Sequence, residues 1–474
     1  IARNKPLLLI ISLYFLHIVG LLYTSDFNYA IHDLKIKLPI LVLPLVFSTS
    51  KPVEKKLIKY ILIVFSLSVI ASSLISAAIF FGLINYEYYD YRDISIFISH
   101  IRLSLMVNLA IFILAWFSLD SPKSLRFNKR RAIFAGVAVM WLIFFLVILK
   151  AITGIVIFII LSLVITWVLA GRINDVAPRF IVRVFLITVP LIIVSFLASS
   201  VEKFYTFDDV DFSKLDKYTA QGNAYRHDTL SRSVENGHYV WIYLSEKELE
   251  EQWNKRSEIK YSEKDYKGQY IKYTLIRYLT SLGLRKDSTG VSNLTEKDIY
   301  AIENGTANHI FTERYSLYLR IYEIIWEVYA YRRGGDPSGH SVTQRIAYLK
   351  GAKKIISENL LIGVGTGDIQ QDFNKYYNEV NSPLDKDSRR RAHNQFVTFL
   401  LTFGIIGFII SMLAFILPVI LSGAYKHNIF VVFLIIAFFS MLNEDTLETQ
   451  TGVSFIMFFY ALFIFTNKNG NREA

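Results

Sequence analysis

The chain has 474 residues, 53% of them hydrophobic and 15% aromatic, with a mean hydropathy of +0.37. That is too apolar for an ordinary soluble protein of this length and indicates a polytopic membrane protein. No cysteine is present, which excludes a disulfide framework and a thiolate metal site; the formal charge of +11 suits anionic lipids or phosphates, and basic cytoplasmic loops alone would also account for it.

The apolar runs come in order. Leu7–Tyr23 is long enough to cross a bilayer and follows Arg3 and Lys5. Ile36–Ser48 is shorter, holds Pro39 and Pro44, and reads as a kinked span. Lys51, Lys55, Lys56 and Lys59 precede the third run, Leu57–Ile84. The fourth, Ile101–Leu119, carries Arg102 at its edge beside His100. Lys123, Arg126, Lys129, Arg130 and Arg131 form a second basic loop. Ala132–Leu149 and Ile152–Ala170 are a tight pair joined at Lys150, and Phe180–Ser199 follows Arg172, Arg179 and Arg183. After a large polar segment come Phe396–Leu421, Ile429–Leu442 and Val453–Phe465.

Lysines and arginines gather in alternate short loops, which places those loops in the cytoplasm and the large polar segment on the opposite side. The expected organisation is ten transmembrane helices: seven within 1–200, a loop domain over 201–392, three more within 393–466, and a cytoplasmic tail over 467–474. Because the first span starts inside, any spans preceding Ile1 should come as a pair. The loop domain holds Trp241, Trp253 and Trp326, so it should fold. Ser245 with Glu248 has the form of a capping box. Helical spacing continues over Glu263–Ser281, Glu313–Tyr331 and Gln344–Ser357. The expected fold class is therefore an all-α polytopic membrane protein with a large, mostly helical loop domain.

Chemistry concentrates between Gly339 and Gly407. His393 stands at the mouth of a span after Arg389, Arg390 and Arg391, and histidine is the side chain best suited to move a proton near neutral pH. Position alone is equally compatible with an interfacial histidine bonded to a loop backbone. Arg345 opens a helix and offers a planar fork of donors to a phosphate; a surface ion pair is the plainer reading. Gly363-Val364-Gly365-Thr366-Gly367-Asp368 is a weak match to a phosphate-cradling loop, since no Lys-Ser/Thr follows, and a helix C-cap explains it as well. Arg102 and Lys150 stand at outer span ends, where snorkelling competes with a binding role. Glu444, Asp445 and Glu448 form an acidic group on the last outer loop, and no spacing supports a metal site.

The order of these pieces resembles the O-antigen ligase family and its polymerase relatives. The likeness rests on Ser341–Arg345, on Asn359–Asp368, on Ala392-His393-Asn394-Gln395-Phe396 and on Asn443–Gly452. Arg277–Asp287 resembles a Bacteroidetes-like subgroup. The resemblance implies a GT-C-like glycosyltransferase in the bacterial inner membrane, inverting and metal-independent, with no cofactor and no nucleic-acid partner. Its donor would be an undecaprenyl-pyrophosphate-linked glycan and its acceptor a sugar hydroxyl of the lipid A core, with both lipids reached from the periplasmic face. By the same likeness His393 would be the base, and Arg345, Arg102, Lys150 and Arg391 would bind pyrophosphate. His340, Gly365, Gly367, Asp368, Asn394 and Glu444 would contact donor sugar or acceptor. Family members carry an arginine where this chain has Ile152, so Lys150 or Arg102 would have to supply that charge.

The neighbouring readings are an O-antigen polymerase, a protein O-oligosaccharyltransferase, and, outside enzymes, a lipid-linked glycan transporter. A transporter should bury charges at mid-membrane and show broken helices in repeated halves. The sequence shows neither pattern.

Overall fold

A computed structural model describes residues 3–88, 91–313 and 316–466. The expected tail at 467–474 lies outside the described residues. The helices are α1 Lys5–Val19, α2 Phe27–Thr49, α3 Lys55–Phe80, α4 His100–Leu119, α5 Lys129–Ile148, α6 Ile152–Ala170, α7 Val176–Tyr205, α8 Glu246–Arg256, α9 Ile271–Ser281, α10 Ser288–Ser292, α11 Glu296–Glu303, α12 Leu317–Arg332, α13 Ser341–Glu358, α14 Ile369–Glu379, α15 Gln395–Ser422, α16 Asn428–Asn443 and α17 Gln450–Thr466. One short antiparallel hairpin pairs β1, Val234–Glu235, with β2, His238–Tyr239.

Among the described residues, seven helices are long and apolar enough to cross a membrane: α1 with the turn after it, α3, α4, α5, α6, α7 and α15. The chain is a multi-pass membrane protein of all-α class. The helices α16 and α17 have 16 and 17 residues. At about 1.5 Å per residue they fall a little short of a hydrocarbon core of roughly 30 Å. Helix α2 starts at Phe27, well before the apolar run, and buries Asp33 from that lead-in together with Lys37 at the start of the run.

The chain divides into two compact units, one of residues 1–182 and 336–474, the other of 183–335. In the first, α1 packs on α2 and α15, α2 on α17, and α4 on α3, α5, α6 and α16. Buried Phe399, Phe430, Phe433 and Phe459 fill its centre. Small residues set the closest approach: a Cβ on Gly154 of α6 would stand 2.5 Å from Cβ of Ser104 on α4. Asn108 secures the same contact by donating to the Gly154 carbonyl at 2.9 Å, the kind of polar bond that joins helices in lipid.

Residues 336–392 pack with the apolar helices of this first unit. Helix α15 is broken inside at Gly404, whose φ of 60° and ψ of −166° release carbonyls and N–H groups from the helix. The glycine turn before α14 takes them up. Val364 and Gly365 donate to Leu401 and Thr402, while Ile405 donates to Leu360. Irregular backbone among spans is stable only when protein satisfies it in this way. The expected uninterrupted span over Phe396–Leu421 is thus two helical pieces joined by a short pairing.

The second unit gathers α8 to α11 around Trp253, Leu275 and Tyr278. The expected capping box at Ser245 does not form. Glu248 instead accepts from Asn223 at 2.8 Å and from the hydroxyl of Ser288 at 2.8 Å. A capping box is built at α11, between Thr295 and Asp298. Helix α9 begins at Ile271, later than its spacing suggests. Asp265 accepts from the N–H groups of Lys267 and Gln269 and holds the preceding residues in a turn around Gly268.

Candidate functional site

Three loops meet at one end of the first unit: the start of α13, the link before α15, and the turn between α16 and α17. Asn394 caps α15 by accepting from Phe396 and Val397, and its amide donates to the Leu442 carbonyl. That stitches the His393 loop to the end of α16 and commits Asn394 to scaffolding. His393 itself has φ 49°, a left-handed backbone uncommon for a residue with a side chain. Such outliers mark places where the surroundings force a conformation.

The outcome is a shared carboxylate. Glu444 Oε2 lies 3.5 Å from His393 Nδ1, and its Oε1 lies 3.4 Å from Arg345 Nη2. Arg345 also donates to the Asn443 carbonyl at 3.4 Å. Tyr348, one helical turn on from Arg345, sets its ring 5.6 Å from the His393 imidazole. Burial would raise the Glu444 carboxyl, but the His393 hydrogen bond and the charges of His393, Arg345 and Arg102 outweigh it and hold the group below its ordinary value. Arg102, on the first turn of α4, is therefore part of this electrostatic cluster. Arg345 keeps 42% of its side chain exposed and His393 27%, so both remain reachable.

Beneath this layer sits one the sequence did not indicate. Lys37 on α2 bonds Asp33 at 2.6 Å and Glu448 at 2.9 Å, with all three side chains at most 5% exposed. Glu448 also accepts from Gln395 at 3.1 Å and stands 3.5 Å from Arg391. Burial pushes the Glu448 carboxyl up, and Lys37 and Arg391 more than reverse it. The Arg391 guanidinium lies over the Tyr29 ring at 5.9 Å. Asp445 accepts from the Thr398 hydroxyl at 2.8 Å. Burial raises its carboxyl more than Arg391 lowers it.

The other expected residues fall elsewhere. The N–H groups of the glycine turn point into protein: Gly365 donates to Thr402 and Gly367 to the Thr24 hydroxyl. Asp368 accepts from Thr24, Ser25 and Asp26 at 2.8–2.9 Å. The turn is a joint between α1, α14 and α15, so Gly365, Gly367 and Asp368 serve packing there. His340 is the N-cap residue of α13, without a capping bond from its side chain. Lys150 lies in the α5–α6 link with φ 48°, and Ile152 is exposed. Among the described residues no group of three or more His, Asp or Glu is arranged to hold a metal ion.

A family model described as O-antigen ligase matches residues 298–412, a stretch that contains Arg345, the glycine turn and His393. No curated protein matches the chain. The matched stretch, part of a multi-pass helical protein, is thus similar to the O-antigen ligase family over 298–412.

Proposed function

We propose that the protein is an O-antigen ligase. It moves a glycan from undecaprenyl pyrophosphate to a sugar hydroxyl of the lipid A core, at the periplasmic face of the inner membrane. The observation that carries this reading is the Glu444 carboxylate held between His393 and Arg345.

A carboxylate on Nδ1 fixes the imidazole as the tautomer with its lone pair on Nε2. That nitrogen faces away from Glu444 and takes the proton of the acceptor hydroxyl. The acceptor oxygen then attacks the anomeric carbon, and the bond to pyrophosphate breaks on the opposite side, so the configuration inverts. Glu444 stabilises the imidazolium that results. The leaving pyrophosphate carries its own negative charge, which needs cations and positioning more than covalent help. Arg345 offers its exposed fork, Arg102 adds charge from α4, and Lys150 stands at the neighbouring link as a further cation. Arg391, engaged by Glu448 and largely buried, holds the loop in place and lends field from below.

The test is glycan transfer by purified protein supplied with a lipid-pyrophosphate glycan and a lipid A-core acceptor. Core-linked product that requires His393 supports the ligase. Lengthening of the donor glycan with the core left bare replaces the ligase with a polymerase.

A further inference from the structure

The inner end of the first unit holds a cavity of about 660 Å³, within the roughly 300–1,000 Å³ usual for small-molecule sites. The first turns of α3 and α16, the last turns of α4 and α17 and the link after α4 converge on it. Its floor is apolar, formed by buried Leu62, Phe117, Ile429 and Phe463.

Its polar wall consists largely of donors. Lys55, Lys59 and His427 line it. The ammonium of Lys59 donates to the Leu125 carbonyl and stands 5.6 Å and 5.3 Å from the ring centres of Phe117 and Phe127. Trp116 also lines it. Its indole N–H is buried beside the cavity and has no hydrogen-bond partner among the described residues. A buried donor left unpaired is costly, so an acceptor is expected there. Neither α3 nor α16 has a side-chain cap on its first turn, which leaves backbone N–H groups at the same place. Glu54 is the one carboxylate of the lining and is exposed. Asp120, close by in the α4–α5 link, is already engaged by Arg172 and Asn428.

Lysines, an indole N–H and uncapped helix starts over an apolar floor fit a phosphate-bearing anion with a hydrocarbon attachment. We propose that this cavity binds the phosphodiester headgroup of an anionic phospholipid. Two further observations favour a lipid over a free anion. Leu57, Tyr60 and Val64 on α3 are exposed on one stripe beside the cavity, a bed for acyl chain. The five converging segments are those that the basic loops assign to the cytoplasmic side, where anionic lipid faces basic protein. Helices α16 and α17 run from this cavity to the turn that carries Glu444 and Glu448, so a bound headgroup braces the hairpin on which the transfer site depends.

The test uses the full chain purified in detergent, with thermal unfolding and native mass spectrometry as readouts. The probes are phosphatidylglycerol, phosphatidylcholine and inorganic phosphate. The variants are Trp116→Phe, which keeps the ring and removes the N–H, and Lys55→Gln, which alters an exposed side chain. Phosphatidylglycerol should be retained in preference to phosphatidylcholine and should raise the unfolding temperature. Each variant should bind it about tenfold more weakly, as loss of one hydrogen bond to a charged group implies. Equal retention of the two lipids, unchanged binding in both variants, or full stabilisation by inorganic phosphate alone would overturn the proposal. Because the readout is binding, a failed transferase assay leaves this result unaffected.

Discussion

His393 Nδ1 and Glu444 Oε2 stand 3.5 Å apart, and the second oxygen of that carboxylate reaches Arg345 at 3.4 Å. One acidic side chain thus orients the proposed base and the proposed phosphate ligand together. Glu444→Gln should lower kcat by about 10²- to 10⁴-fold, the range associated with a positioned base, and leave the unfolding temperature nearly unchanged. Arg345→Ala should instead weaken donor binding, and Arg345→Lys should restore it only in part because the planar fork is gone. Kinetics with donor varied at fixed acceptor separates the two. Identical defects in KM and kcat for both variants would remove the division of roles.

The buried Lys37–Asp33–Glu448 cluster supports the site from below. Lys37→Met leaves Asp33 without its cation and Glu448 with Arg391 alone, and should cost about 3–5 kcal/mol, as breaking a buried pair does. Adding Asp33→Asn to Lys37→Met should recover a good part of the loss, since it removes one uncompensated charge. Denaturant or thermal unfolding of the three proteins in detergent measures both effects. A mild Lys37→Met phenotype would show that water reaches this layer.

The glycine joint makes a steric prediction. A Cβ on Gly363, at φ 72°, would lie 2.4 Å from the Thr402 carbonyl carbon and 2.5 Å from the Leu401 oxygen. Gly363→Ala should therefore destabilise by at least about 1–3 kcal/mol, the usual cost of forcing atoms into packed space. Gly136 on α5 has nothing within 4 Å of its would-be Cβ, so Gly136→Ala is the neutral control. Equal stabilities for the two alanine variants would contradict the tight pairing of the turn with α15.

Asp368 gives the joint a pH dependence. Burial alone would raise its carboxyl, but N–H groups of Asp26 and Ser25 and the Thr24 hydroxyl hold it below the ordinary 3.8. A depressed folded-state value means the stabilisation is fully present above 3.8 and is lost as the pH falls through the folded value. Wild type should exceed Asp368→Asn in unfolding temperature by a constant margin at higher pH, and the margin should close in acid. A margin that widens in acid would reverse the sign.

Much of the architecture was legible because apolar runs of helical length state their own purpose. Arg345 and His393 stood out as candidates because each lies at the edge of a helix, and the structure brings both to one carboxylate. The buried layer was not legible, since Asp33 precedes the apolar run, Lys37 stands at its first turn, and Glu448 is more than four hundred residues away in sequence. Lys37 four residues after Asp33, leading into an apolar run, was the available signal. The glycine turn stayed open between a ligand-facing turn and a helix C-cap because sequence alone does not reveal that Gly404 frees carbonyls to meet it. The pairing of glycine-rich segments on both partners was the clue.

The most direct test is transfer itself, with wild type and His393→Ala compared in membranes that hold the lipid-pyrophosphate glycan and the lipid A-core acceptor. The account predicts core-linked glycan with wild type and a loss of about 10²-fold or more with His393→Ala, while donor binding persists. Undiminished transfer by His393→Ala would contradict it.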